Sequence, residues 1–188
     1  NIYKGKVVNI EPSIQAAFVD LGLKKNGFLH VADIMPEQSH KNKKKSEEKG
    51  SNTETTRPEL KIKSLLRKGQ DVIAQMSKEG IGDKGPSLTT YISLPGRYLV
   101  LMPNVNRNGV SRRITDEKER KRLKALMEDL DIPPNMGAII RTAGINQTKR
   151  ELNRDLSYLH KLWEIISKKI QDEKTPSLIY QESDLVIR

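Results

Sequence analysis

The sequence predicts a mixed fold, with a small closed β-barrel followed by an α/β unit. Three observations carry that prediction. Residues 1–93 hold five short β-rich runs punctuated by turn residues. Residues 94–188 alternate strand-like runs with two helical patterns. The only two phenylalanines, Phe18 and Phe28, lie on two consecutive short strands of the first part, flanked by small or aliphatic residues.

In chain order, Ile2–Ile10 is the first β-rich run, with Gly5 at an expected bend and Glu11-Pro12-Ser13 as the next turn. Ala16–Asp20 and Gly27–His30 are the second and third, joined through Leu23-Lys24-Lys25-Asn26. Residues 35–60 are rich in Lys, Glu, Ser, Asn and Thr and poor in apolar residues, which predicts a flexible, solvated insertion. Ile62–Leu66 reads as a short turn ending at Lys68-Gly69. Asp71–Lys78 alternates Val72, Ala74 and Met76 onto one face, and Ser87–Ser93 is the expected barrel-closing strand. Five such strands suit an OB-fold barrel over residues 1–93.

The second unit, residues 94–188, opens on the buried-looking strand Arg97–Pro103. Thr115 is the expected N-cap of a helix whose first turn carries Asp116 and Glu117 and whose apolar face carries Leu123, Leu126, Met127 and Leu130. Met136–Gly144 reads as a strand entering a glycine turn. Thr148 and Glu151 form a capping box for a long helix striped with Leu152, Leu156, Leu159, Trp163, Ile166 and Ile170. Pro176 ends that helix, and Leu178–Gln181 is the expected last strand of the unit.

The chain carries a net charge of +10 with a pI of about 9.7, which points to a polyanionic partner. The lysine run Lys41–Lys45 is not the source, because residues 37–60 hold six Lys/Arg against five Glu. Residues 61–114 hold ten Lys/Arg against three Asp/Glu, so the phosphate-facing surface is expected there. The absence of cysteine excludes disulfides and thiolate metal sites. No apolar run reaches the length of a membrane span and no signal peptide is visible, so a cytoplasmic protein without a membrane partner is expected. The start at Asn1, directly in a strand, is expected of an excised segment.

Two groups of residues are candidates for binding. If Ala17 and Val19 face inward, strand alternation turns Phe18 outward. Exposed rings stack on nucleobases, each contributing about 1–3 kcal/mol. Phe18, Phe28 and Lys84, the last in the glycine-flanked hairpin Gly80–Pro86, therefore form a candidate platform for single-stranded RNA. The alternative is a pair of core rings. Tyr3 is a candidate third ring or a buried tyrosine, and His30 is expected to be a hydrogen-bonded surface histidine. The second group is basic: Arg112-Arg113 after Gly109-Val110-Ser111, and Arg141-Thr142 where a strand meets Ala143-Gly144. Strand ends are the ligand crevice of α/β sheets, and the arginine fork grips phosphate oxygens in pairs. Arg141 paired with a surface carboxylate is the equal alternative.

Several blocks together resemble the amino-terminal part of the bacterial ribonuclease E/G family. They include Asn1–Lys6, Glu11-Pro12-Ser13, Ala16–Asp20, Gly27-Phe28-Leu29, Leu88–Leu94, Tyr98–Asn104, Gly109–Arg113, Met136-Gly137, Arg141–Gly144 and Gln181-Glu182-Ser183. The resemblance spans nearly all of the chain outside 35–60. It implies an S1-type RNA-binding barrel inserted in an RNase-H-like subdomain, here truncated. It further implies RNA contact by Phe18, Phe28 and Lys84, and a sensor for the 5′-monophosphate of RNA at Gly96, Val100, Arg112, Arg141 and Thr142. The family's Mg²⁺-dependent cleavage belongs to a DNase-I-like subdomain expected after Arg188, and its zinc to a cysteine pair between protomers. Catalytic and metal-binding residues are therefore expected to be absent here, with Mg²⁺, structural Zn²⁺ and homo-oligomer formation belonging to an intact enzyme of RNA processing and mRNA decay. A free-standing S1-type RNA-binding protein without nuclease activity is the principal alternative. A structural role, with the Trp163 helix docked on another chain, is a second.

Overall fold

Five strands of the first unit close into a ring. The computed structural model describes residues 1–36 and 61–182, in two units, Asn1–Thr90 with the chain from Lys174, and Tyr91–Glu173. The lysine run and nearly all of the predicted insertion lie outside the described residues. β1 (Ile2–Glu11) pairs antiparallel with β2 (Ala16–Asp20), and β2 with β3 (Gly27–His30). A helical turn, α1 (Ile62–Leu65), stands where a turn is expected and precedes β4 (Asp71–Lys78). β5 (Ser87–Thr89) runs parallel to β3 and antiparallel to β4, and β4 returns to β1, so the five strands close. The closing strand stops at Thr89 rather than Ser93. Thr90 turns inward, its backbone N–H donating to the Asp33 carbonyl at 2.9 Å and its hydroxyl accepting from the Met35 N–H at 2.7 Å.

Alternation fills the barrel. Val7, Ala17, Val19, Leu29, Val72, Ala74 and Leu88 are buried, and α1 adds Ile62 and Leu65 with Leu66 beside it. Each large aliphatic side chain so buried contributes about 1.5–3 kcal/mol. Tyr3 is part of this core and not a surface ring. The segment expected as the last strand of the α/β unit, β10 (Ser177–Tyr180), instead pairs antiparallel with Ile2, Tyr3 and Lys4 of β1. The reason is strand length. β2 pairs with β1 only from Lys6 to Glu11, leaving the first residues of β1 with a vacant edge that β10 occupies.

The second unit has a four-stranded sheet in the order β6 (Leu94–Pro95), β7 (Leu99–Pro103), β9 (Met136–Ile140), β8 (Gly109–Val110). β7 and β9 are antiparallel, while β8 and β9 are parallel. α2 (Glu117–Glu128) is capped by Asp116, one residue later than expected, its carboxylate accepting from the Glu119 N–H at 3.0 Å. A carboxylate serves this place better than the Thr115 hydroxyl because it also meets the positive end of the helix dipole. α3 (Lys149–Asp172) begins as expected, with the Thr148 hydroxyl accepting from the Glu151 N–H. Leu152, Leu156, Leu159 and Ile166 bury its apolar stripe, and Trp163 is half-buried.

Candidate nucleic-acid interface

Phe18 and Phe28 are direct cross-strand partners in the β2–β3 ladder. Their neighbours Ala17, Val19, Gly27 and Leu29 are buried, so both rings stand on the outer face of the barrel, half-buried. The rings meet edge to face, 5.9 Å between centroids and 68° between planes, the arrangement the ring quadrupole favours. That pairing gives each ring the other as an aromatic neighbour on the barrel's outer face. His30 is two residues further along the same face, and its Nδ1 accepts from the Ala32 N–H at 3.2 Å. It is the hydrogen-bonded surface histidine expected.

The hairpin Gly80–Pro86 forms the other wall. The Phe28 N–H donates to the Pro86 carbonyl at 2.7 Å, which ties the ring's own backbone to the foot of the hairpin. A Cβ on Gly85 would lie 1.9 Å from the Asn26 carbonyl oxygen, so only glycine lets the hairpin approach so closely. Lys25 donates its ammonium to the Gly82 carbonyl and pairs with Asp83 at 3.7 Å, which leaves the exposed Lys84 facing the groove. The groove has a volume of about 630 Å³ and is lined by both rings, Ile81, Lys84 and Asn26 among others. Ile81, 84% exposed, is a wall residue that sequence reasoning passed over. Its signal was an aliphatic side chain set between two glycines, where no strand exists to bury it.

In the second unit, register brings the sensor candidates to one end of the sheet. Ile140 pairs with Leu99 on one side and Val110 on the other. Arg141 therefore leaves β9 at the place where the chain enters β7 and where it leaves β8 toward Arg112. Backbone bonds lock the three segments: Arg141 N–H to the Tyr98 carbonyl at 2.7 Å, and Ser111 N–H to the Ile140 carbonyl at 2.8 Å. Thr142 is exposed at the start of a short 3₁₀ turn, Thr142–Gly144. Val100 pairs with Ile139 and shares the face that Arg141 continues, both half-buried or exposed. Among the described residues the Arg141 guanidinium has no carboxylate partner, so the surface ion pair is not formed. Its Nη1 donates to the Gly96 carbonyl at 2.6 Å, which orients the group and leaves the Nε–Nη2 edge for a second partner.

Three charged side chains that sequence reasoning missed brace these loops. Arg120 donates to the carbonyls of Ser111 at 2.8 Å and Ile114 at 3.3 Å, holding the turn that carries Arg112. Glu119 accepts from both Nε and Nη2 of Arg122 at 2.8 and 2.6 Å and from the Asn146 N–H at 2.9 Å. The Arg122 fork, and then the Asn146 N–H, hold its carboxyl down at about 2. Asp155 accepts from three consecutive backbone N–H groups, Arg97 at 3.1 Å, Tyr98 at 2.8 Å and Leu99 at 2.9 Å. Each lies beside the apolar stripe of its helix, Glu119 and Arg120 one turn before Leu123, and Asp155 between Leu152 and Leu156. A charge on an apolar stripe was the available signal.

The first unit thus carries a closed barrel with a paired-ring groove beside the Gly80–Pro86 hairpin, and the second an arginine-centred sheet end. The family model for the S1 RNA binding domain matches residues 1–55, and that for the ribonuclease E/G family matches residues 93–188. The chain belongs to the ribonuclease E/G family. It is 46% identical to ribonuclease E of Escherichia coli (strain K12) over 189 residues, covering 100% of this chain and 17% of that protein. It is 43% identical to ribonuclease G of the same strain over 181 residues, 96% of this chain and 35% of that one. A putative ribonuclease E of Buchnera aphidicola subsp. Baizongia pistaciae is 45% identical, with 43% of its length covered. The chain thus spans less than half of each of these relatives. Among the described residues no helix is long and apolar enough to cross a membrane.

Proposed function

We propose that this chain is the RNA-binding and 5′-monophosphate-sensing part of an endoribonuclease acting in RNA processing and mRNA decay in the cytoplasm. In this proposal Phe18 and Phe28 stack single-stranded bases and Lys84 meets an adjacent phosphate. Arg141, Thr142, Arg112, Gly96 and Val100 form the pocket for the 5′ end. The observation that carries it is the Arg141 guanidinium, oriented by one hydrogen bond to the Gly96 carbonyl and otherwise open at a sheet end. A monophosphate offers that open edge two charged oxygens, a 5′-hydroxyl only one neutral oxygen, and a triphosphate adds charge and bulk. An end-recognition pocket favours a ribonuclease part over a free-standing RNA-binding protein, which has no use for one.

Among the described residues no three His, Cys, Asp or Glu side chains gather where they could hold a metal ion. The chain has no cysteine for a zinc pair. Asp116 caps α2, Glu119 is held by Arg122, and Asp155 is held by three backbone N–H groups. In this proposal Mg²⁺, Zn²⁺ and oligomer formation belong to the parts of such relatives that this chain does not span, and this chain binds RNA without cleaving it. The test is a pair of titrations with one single-stranded RNA, carrying either a 5′-monophosphate or a 5′-hydroxyl. The phosphorylated form is expected to bind more tightly. Arg141→Lys keeps the charge but not the fork, so the preference falls while binding of the hydroxyl form persists. Equal affinity of the unaltered chain for both ends overturns the proposal.

A further inference from the structure

We infer that Asp155 is a positioning residue for the 5′ pocket, acting through the loop Gly96–Leu99 on Arg141. This inference rests on the proposed function, since it concerns how the same pocket is held.

Asp155 projects from α3 into a concavity made by three successive N–H groups. Oδ1 accepts from Arg97, and Oδ2 accepts from both Tyr98 and Leu99. Consecutive N–H groups converging on one anion make a backbone nest, and here the anion is the protein's own carboxylate. The loop thus fixed presents two carbonyls to the Arg141 residue. Gly96 receives the guanidinium at 2.6 Å, and Tyr98 receives the backbone N–H at 2.7 Å. Arg141 is therefore gripped at both ends by a loop whose shape Asp155 sets. Without that grip an exposed arginine samples many rotamers, and each must be forgone on binding.

The same contact explains why position 96 is glycine. A Cβ there would lie 2.6 Å from Oδ2 and 2.8 Å from Oδ1 of Asp155. Gly96 does not have a positive φ, so conformational freedom is not the reason. Any side chain would push the carboxylate off its three donors. Gly96 serves the pocket by leaving room for Asp155.

Charge gives this inference a sign that separates it from simple electrostatics. A carboxylate near an anion site repels the anion, so neutralising Asp155 should strengthen phosphate binding if charge were its only effect. Positioning predicts the reverse. Asp155→Asn retains one acceptor oxygen but turns an NH₂ toward the remaining N–H donors, so the nest loosens. The affinity ratio for 5′-monophosphorylated over 5′-hydroxyl RNA is expected to fall about tenfold, the worth of one charge-assisted hydrogen bond. Gly96→Ala is expected to produce the same fall, and the double variant no more than the larger single effect, because both changes break one contact. Amide hydrogen exchange at Arg97, Tyr98 and Leu99 in each variant reports the nest directly, independently of RNA and of overall melting. A ratio that is unchanged or higher in Asp155→Asn, with those amides deprotected, overturns this inference and leaves the proposed function standing. A ratio of one in the unaltered chain overturns both.

Discussion

Phe18 and Phe28 are held outward by their flanking residues. The buried methyls of Ala17 and Val19, and the buried Leu29, use up the inner face of β2 and β3, so the rings have only the outer face left. The two rings already meet edge to face, so in the proposed platform a base would add a second aromatic contact without reorganising the first. Phe18→Ala or Phe28→Ala is therefore expected to weaken single-stranded RNA binding by about 1–3 kcal/mol with only a small fall in melting temperature. Leu29→Ala, one residue away but in the core, is expected to cost about 2–5 kcal/mol of stability. Thermal denaturation beside an RNA titration separates the two positions; a core-sized stability loss from either phenylalanine would contradict the platform. The outward direction of Phe18 was legible in the run Ala-Ala-Phe-Val-Asp, since alternation is a local property. That Phe28 stands directly opposite was not, because register is set by the turn and the neighbouring strands.

Helices α2 and α3 carry no candidate ligand-contacting residue, yet they shape the loops that do. The Glu119–Arg122 pair is the clearest case, since it grips both sides of one turn: Glu119 takes the Asn146 N–H, and Arg122 gives to the Gln147 carbonyl at 3.1 Å. Its pH dependence comes from the sign of the shift. The folded carboxyl titrates at about 2, below its ordinary 4.5, so folding favours the charged form. The contribution is fully present above about pH 4.5 and is lost as pH falls toward 2. Chemical denaturation between pH 6 and 2 is expected to show an acid loss of stability that Glu119→Gln reduces. An identical acid limb in that variant would show that Glu119 has no part in it. The helices themselves were legible from their apolar stripes and from Thr148 at its cap. Their braces were not, because a stripe shows which face is buried but not which loop the charged residue beside it will reach. Asp116 displaced Thr115 as cap for a related reason: two adjacent capping residues differ by one residue of phase, which only the first turn's own hydrogen bonds decide.

For the chain as a whole, the closed ring gains a sixth strand that lies beyond the α/β segment in sequence. A boundary at 93/94 separates the five ring strands from the rest of the chain, but β10 returns to Ile2–Lys4 and buries Ile179 there. Its alternation was legible and its partner was not, since nothing local in Ser-Leu-Ile-Tyr specifies which exposed edge it will join. The Thr175 hydroxyl also donates to the Asp71 carboxylate at 2.8 Å, and that bond, ahead of Lys6 at 3.2 Å, holds the Asp71 carboxyl below its ordinary value. The barrel's stability should therefore respond to a residue far from it in sequence. Ile179→Ala removes buried side-chain volume and is expected to cost about 2–5 kcal/mol, whereas Leu178→Ala, at a position 40% exposed, should cost far less. Amide exchange locates the loss: in Ile179→Ala, protection should fall at Tyr3 and Lys4 and then across the ring strands, because β1 pairs with both β2 and β4. Leu178→Ala proving the more damaging of the two would mean that β10 lies on β1 with its other face inward.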